Sequence, residues 1–186
     1  MGIRVTALAV LILIVLAFSW WIEDLARQLE RMPQDTTADI QDFFIDDYKI
    51  SINDENGRLQ YQGSGERMDH WQKSGKVTLE RPVFVVFQLD GPPSTLRSER
   101  AEGKPDGEEV HLLGEVVLDR EAFKNNDSIH AVTHDMTLWP GTQRGHTDSQ
   151  VVAVGKKYKV EGKGMTIDLL AGTLELLSKV RGVYED

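Results

Sequence analysis

The sequence predicts an all-β, jelly-roll-like body of antiparallel strands behind one N-terminal transmembrane helix. Three observations carry this. One is an uncharged apolar run near the start of the chain. The second is a series of closely spaced turn signals from residue 43 onward, with no amphipathic helix between them. The third is a hairpin skeleton that occurs four times in 186 residues. That length suits one domain and an appendage, and a domain of roughly 140–150 residues buries about two thirds of its unfolded surface.

The apolar run is VTALAVLILIVLAFSWWI, Val5 to Ile22, eighteen residues without a charge. As a helix it measures roughly 27 Å, just enough to cross a hydrocarbon core. Trp20 and Trp21 close it, as aromatics do at a membrane–water boundary. A cleaved signal peptide competes, with Arg4 as its basic start and Ala17-Phe18-Ser19 as a small-x-small site. The apolar character runs past that site through both tryptophans, which favours an uncleaved anchor over a signal peptide. A buried soluble helix fits poorly with a segment apolar all round. Arg4 precedes the span while Arg27 and Arg31 come after it, so a strict charge count points weakly against export of the C-terminal domain. Long domains translocate largely regardless of nearby charge, and the expected topology is a short N-terminus inside with the domain outside. Leu25, Leu29 and Met32 continue at helical spacing until Pro33. The expected organisation is therefore a transmembrane helix with its extension over 1–32, a polar linker without periodicity over 33–42, and the β body over 43–186.

Within that body the turns fall at Asn56-Gly57, Ser74-Gly75, Asp90-Gly91, Asp106-Gly107, Pro140-Gly141 and Ala171-Gly172. Such spacing argues for a sandwich, barrel or jelly roll. The repeat has apolar anchors at Met68, Ala101, Met136 and Met165, which lie 33, 35 and 29 residues apart. Three positions before each anchor stands Gly65, Ser98, Thr133 or Gly162. Eleven after it comes Leu79, Leu112, Thr147 or Leu176, and fifteen after it Val83, Val116, Val151 or Val180. Thr147 weakens the third copy. A period in this range signals stacked supersecondary units. Strand parity then assigns one shared face to Leu174, Leu176, Val180 and Tyr184, and one to Val83, Val85, Phe87 and Leu89. Leu112, Val116 and Leu118 form another such set, as do Tyr48, Ile50 and Ile52, and Met165, Ile167 and Leu169. Each unit thus delivers an apolar stripe to a common interior.

Composition excludes several functions. The formal charge is −9 with Lys and Arg scattered, so nucleic-acid binding by phosphate neutralisation is not expected. There is no cysteine, hence no disulfide framework and no thiolate site or nucleophile. His130 and His134 stand at H-x-x-x-H spacing, but in alternating SIHAVTHDMTL they belong on a strand, some 13 Å apart and too far to share an ion. Glu108-Glu109 beside His111 reads as a solvated turn, because adjacent strand residues point to opposite faces. No P-loop, G-x-S-x-G or H-E-x-x-H is present. The expectation is a non-enzyme without catalytic residues, cofactor or metal, in which Trp71 and Trp139 are core or rim aromatics.

The apolar stripe, with Val83, Val116 and Leu176 on it, is either a packed core or a trough for acyl chains. At roughly 0.8 kcal/mol per buried methylene, a few chains would bind without any charged contact. An acidic protein could in that way hold a negatively charged amphiphile. A jelly roll that is not sealed also leaves edge strands able to pair with a sister domain, and Val180, Gly182 and Tyr184 lie on the last strand.

An N-terminal span, then DYKISINDENGRLQYQGSGERMDHW, LERPVFVVFQLDG, SERAEGKPDGEEVHLLGEVVL and the closing GMTIDLLAGTLELLSKVRGVYED together resemble the LptC family. Members of that family are single-span components of lipopolysaccharide export in Gram-negative bacteria. The resemblance covers nearly the whole chain and its order of motifs, and the repeats look like those of OstA-like β-jellyrolls. It implies a periplasmic β-jellyroll tethered to the inner membrane, single-pass. Such a protein receives lipopolysaccharide from an ABC transporter and passes it to a periplasmic jellyroll bridge protein. It implies that Val5 to Ile22 also packs with the transporter's membrane subunits. Tyr48, Leu79, Leu174 and Tyr184 correspond to the family's lipid-contacting side, and Gly57 and Gly155 to its sensitive turn glycines. The polar DREAFKNND stretch, Asp119 to Asp127, has a variable counterpart and inherits no role.

Two functions remain open: a lipid-transfer module, or a membrane-anchored adaptor that docks the bridge by edge pairing around a dry core. The shape of the interior discriminates between them.

Overall fold

The computed structural model describes residues 38–88, 91–124 and 127–184. The predicted span Val5–Ile22 lies outside these, as do Leu89, Asp90 and Glu185. Among the described residues no helix is long and apolar enough to cross a membrane. Asp39–Asp186 forms one compact unit.

Ten strands build that unit among the described residues: β1 (Gln41–Asn53), β2 (Leu59–Trp71), β3 (Val77–Glu80), β4 (Val83–Val86), β5 (Ser94–Gly103), β6 (Val110–Arg120), β7 (Ile129–Trp139), β8 (Arg144–Val154), β9 (Tyr158–Asp168) and β10 (Thr173–Tyr184). They succeed one another as an antiparallel meander in a single sheet. β3 and β4 are two halves of one strand, since both pair with β2 on one side and β5 on the other. Arg81-Pro82 divides them: proline lacks the N–H a ladder needs, and Arg81 takes a φ of 44°. Among the described residues β1 pairs only with β2 and β10 only with β9, so the sheet keeps two edges there. β1 begins at Gln41, two residues inside the stretch expected as linker, and β6 runs to Arg120, inside the expected polar loop.

The sheet bends over a single core whose centre is Leu96, Leu112, Val116, Met136, Val151 and Met165. The repeat explains that core directly. Met68 faces Leu79, Leu79 faces Ala101, Ala101 faces Leu112, and Leu112 faces Met136, while Met165 faces both Thr147 and Leu176. In the first, second and fourth copies anchor and eleventh residue are thus cross-strand partners in one interior row. A second row joins Ser98 to Val116 and Thr133, and Val151 to Gly162.

Between these rows runs a crease. Ala101 faces Leu112, so an unbroken hairpin would set Ser98 opposite Glu115, yet it faces Val116. One bulge residue has been inserted. Register shifts recur between Leu112 and Glu115, Val132 and Thr137, Thr147 and Gln150, and Ser178 and Arg181. Left-handed φ values mark the same line at Asp47, Arg81, Gly114, Asp135, Gly164 and Lys179. The fifteen-residue offset to valine is therefore hairpin arithmetic plus one bulge, and the bulges let a long meander fold over itself.

The first copy departs from this pattern. Arg81-Pro82 spends the extra residue without a register shift, so Pro82 is the buried residue and Val83 pairs with Ser64 and Arg97. Inside β4 it is Phe84 and Val86 that meet the core, opposite to the parity expected for Val83, Val85 and Phe87. Counting by twos along the sequence cannot see the break. The fourth copy also departs: Leu174 and Leu176 pack on the core, but Val180 and Tyr184 are 54% and 67% exposed, beyond the bulge at Lys179. Thr147, expected to weaken the third copy, is buried and donates to the carbonyls of His134 at 3.0 Å and Asp135 at 2.7 Å.

Candidate ligand cavity and sheet edges

The interior is filled in its middle but not at one end. A cavity of about 530 Å³ lies there, within the roughly 300–1,000 Å³ usual for small-molecule sites. Tyr48, Ile50 and Ile52 of β1 and Tyr61, Gly63 and Met68 of β2 form part of its wall. Val77 and Leu79 of β3, Phe84 and Val86 of β4 and Leu96 of β5 continue it. Leu138 and Trp139 of β7 and the 3-10 turn Pro140–Thr142 complete it. The lining is overwhelmingly apolar because these are the inward positions of alternating strands. Ile50, Ile52 and Trp139 are 44%, 53% and 36% exposed while lining it, so the cavity opens to solvent at that rim.

Few polar groups reach it. The Tyr61 hydroxyl donates to the Pro140 carbonyl at 2.9 Å, tying the sheet's early strands to the β7–β8 connection. Burial pushes the Tyr61 phenol up, and its hydrogen bond with Gln143 works against that. Burial also drives the Tyr48 phenol up to about 12. Lys104 and Arg144 stand at the margin, each neutralised by a carboxylate: Lys104 pairs with Glu109, and Arg144 with Asp168 at 3.3 Å. His111 joins Glu109 at 3.3 Å, as residues two apart on one face do, at the exposed end of the Asp106-Gly107 hairpin. His130 bonds Asp119 at 2.7 Å on the outer surface.

Of the positions expected to contact lipid, Tyr48 and Leu79 line the cavity. Leu174, Leu176 and Val116 belong to the core around its packed centre. Val83 is turned away, and Tyr184 is exposed on the edge strand. The two turn glycines differ in kind. Gly57 needs its φ of 78°, whereas a Cβ on Gly155 would lie 2.1 Å from the Tyr158 ring. Sequence parity missed Phe84, Tyr61 and Gln143. The Arg81-Pro82 pair was the available signal for the first, and none existed for Gln143, whose burial depends on strands distant in sequence. Trp71 sits part-buried with its Nε1 donating to Thr78 at 3.2 Å, and Trp139 is a rim aromatic.

The edges are apolar as well. β10 exposes Leu177, Val180, Val183 and Tyr184, and β1 exposes Phe43, Phe44 and Ile45. Phe43 stacks on His70 at 4.7 Å, and Arg67 lies 4.1 Å over Phe44.

The family described as "Lipopolysaccharide-assembly, LptC-related" matches residues 7–185. The chain belongs to the LptC-related family. This LptC-related chain is similar in fold to LptH of Pseudomonas aeruginosa, described as the LptA-homologous periplasmic component of the conserved lipopolysaccharide transport device. The TM-score is 0.52 at 12% identity, over 68% of this chain and 95% of that one. At such identity the likeness is one of fold: an antiparallel β-jellyroll. No curated protein matches the chain.

Proposed function

We propose that the chain is a lipopolysaccharide-transfer protein. In this reading Val5–Ile22 anchors it in the inner membrane beside the membrane subunits of an ABC transporter, and the jellyroll stands in the periplasm. Acyl chains enter the apolar cavity, and the lipid passes to a jellyroll bridge protein added along an edge strand. The observation that carries the reading is the cavity of about 530 Å³, apolar and open at its rim, in a member of a lipopolysaccharide-assembly family. Acyl chains need no charge partner there, since methylene burial supplies roughly 0.8 kcal/mol each. The edge of β10, where Val180, Gly182 and Tyr184 lie, supports docking of the bridge, because its outer N–H and C=O groups have no neighbouring strand among the described residues.

The test is photo-crosslinking in living cells from Leu79 and Phe84, which line the cavity, with outward-facing Glu115 as control. Lipopolysaccharide adducts from the first two and none from the third are expected. Absence of adducts from both cavity positions would leave the chain a structural adaptor around a dry core.

A further inference from the structure

The crease divides the sheet into two wings whose outer ends meet again around the core. In one wing Tyr61 faces Val86, Val86 faces Ser94, Ser94 faces Arg120 and Arg120 faces Ile129, a single row across the strands. In the other, Leu138 faces Gly145, Gly145 faces Ile167 and Ile167 faces Leu174, with the turns after Trp139 and Asp168 just beyond. Three side chains of the first wing donate to main-chain carbonyls of the second. The Tyr61 hydroxyl reaches Pro140 at 2.9 Å, the Gln88 amide reaches Leu169, and the Arg120 guanidinium reaches Gly172 at 2.5 Å. The acceptor turn is fixed from within its own wing: Leu169 N–H donates to the Gln143 carbonyl at 2.9 Å, and Ala171 N–H to Asp168 Oδ1 at 2.8 Å. Gly172 leaves room for the approach, since a Cβ there would collide with the guanidinium. These bonds also bound the cavity, because Tyr61, Pro140 and Leu169 stand in its wall. Past them toward β10, a space of only about 10 Å³ is left where Leu118 and Ile129 meet Ile167 and Leu174.

We propose, resting on the lipid-transfer reading above, that Tyr61, Gln88 and Arg120 form a latch between the wings, which opens to let an acyl chain pass from the cavity toward β10. An amphiphile keeps its polar headgroup in water while its chains lie in the apolar interior. Such a molecule cannot thread through a closed interior, so the slot between the wing ends has to be open along its path. Each latch bond crosses that slot. The bonds suit the task because side-chain rotation releases them one by one, with no ladder pair broken. Donors and carbonyls freed at the slot take water in exchange, which keeps the net loss per bond small.

The experiment ties the latch shut. The chain has no cysteine, so Glu121→Cys and Ala171→Cys, exposed positions next to Arg120 and Gly172, can be joined alone by a bismaleimide with a reducible spacer. The full-length chain in detergent is mixed with rough lipopolysaccharide and photo-crosslinked from Phe84 in the cavity or from Leu174 beyond the latch. Untethered protein is expected to give adducts at both. The tether is expected to keep the Phe84 adduct and abolish the Leu174 adduct, and its reduction to restore the latter. Gln88→Leu combined with Arg120→Leu is expected to raise the Leu174-to-Phe84 adduct ratio by roughly five- to tenfold, the value of one net hydrogen bond. Should that variant fail to fold, the tether still decides. Leu174 adducts that survive the tether, or adducts at only one of the two positions without it, overturn the latch and leave lipid transfer standing. An unchanged ratio in the folded double variant overturns it as well. Adducts at neither position remove the latch and the transfer reading together.

Discussion

Thr147 shows what a single side chain does in this fold. It occupies an interior position where the other repeats carry leucine, and its hydroxyl reaches two carbonyls freed by the bulge at Asp135. A leucine there would leave those carbonyls buried and unanswered. Thr147→Val, nearly the same shape, is expected to cost about 1–3 kcal/mol, read as a lower urea midpoint at unchanged slope. An unchanged midpoint would show that water already serves those carbonyls. Gln143 is the converse, a buried side chain whose oxygen finds no partner among the described residues.

Among the elements, β4 shows most sharply how one break resets a strand. Alternation alone makes Val83 and Phe84 equally plausible interior residues, and only the Arg81-Pro82 break decides. With Phe84 on the cavity wall, Phe84→Asp buries an unpaired carboxylate beside Leu96 and is expected to cost about 3 kcal/mol or more. Val83→Asp stands between Ser64 and Arg97 on the other face and is expected to stay within about 1 kcal/mol of wild type. Thermal unfolding of the two variants reads this directly, and the reverse order would refute the inverted parity. The crease obeys the same logic at larger scale. Each bulge is a local expense in backbone strain, repeated strand after strand, and together they turn the meander on itself. The regular part of each hairpin was legible in the sequence as alternation. The bulges were legible only as odd offsets, three and fifteen, whose meaning needed the pairing register.

For the whole molecule, a net charge of −9 makes acid conditions informative. Burial pushes the Asp119 carboxyl up, but hydrogen bonds from His130 and Arg97 outweigh it, so the group lies below the ordinary 3.8. A folded-state value below the unfolded one stabilises the fold above the unfolded value, and that contribution is lost as pH falls through the folded one. Asp119→Asn is therefore expected to lower Tm near pH 5, with the gap to wild type closing below about pH 3.8. Calorimetry across that range checks it, and a gap independent of pH would remove the linkage. The group is partly exposed, so the effect is modest.

What the sequence by itself determined is the all-β class, the four-unit repeat and the interior identity of Leu112, Val116, Met136, Val151 and Met165. Alternation and turn chemistry are local properties, written at spacings of two and at fixed offsets. The likeness to LptC was equally a matter of motifs in order. What only the tertiary structure decided is that one end of the interior stays open, that Phe84 rather than Val83 lines it, and that the side chains of Gln143 and Tyr48 are buried. These depend on which distant strands meet after the sheet folds along its crease. A void is a property of two surfaces failing to meet, and no single stretch of chain contains both.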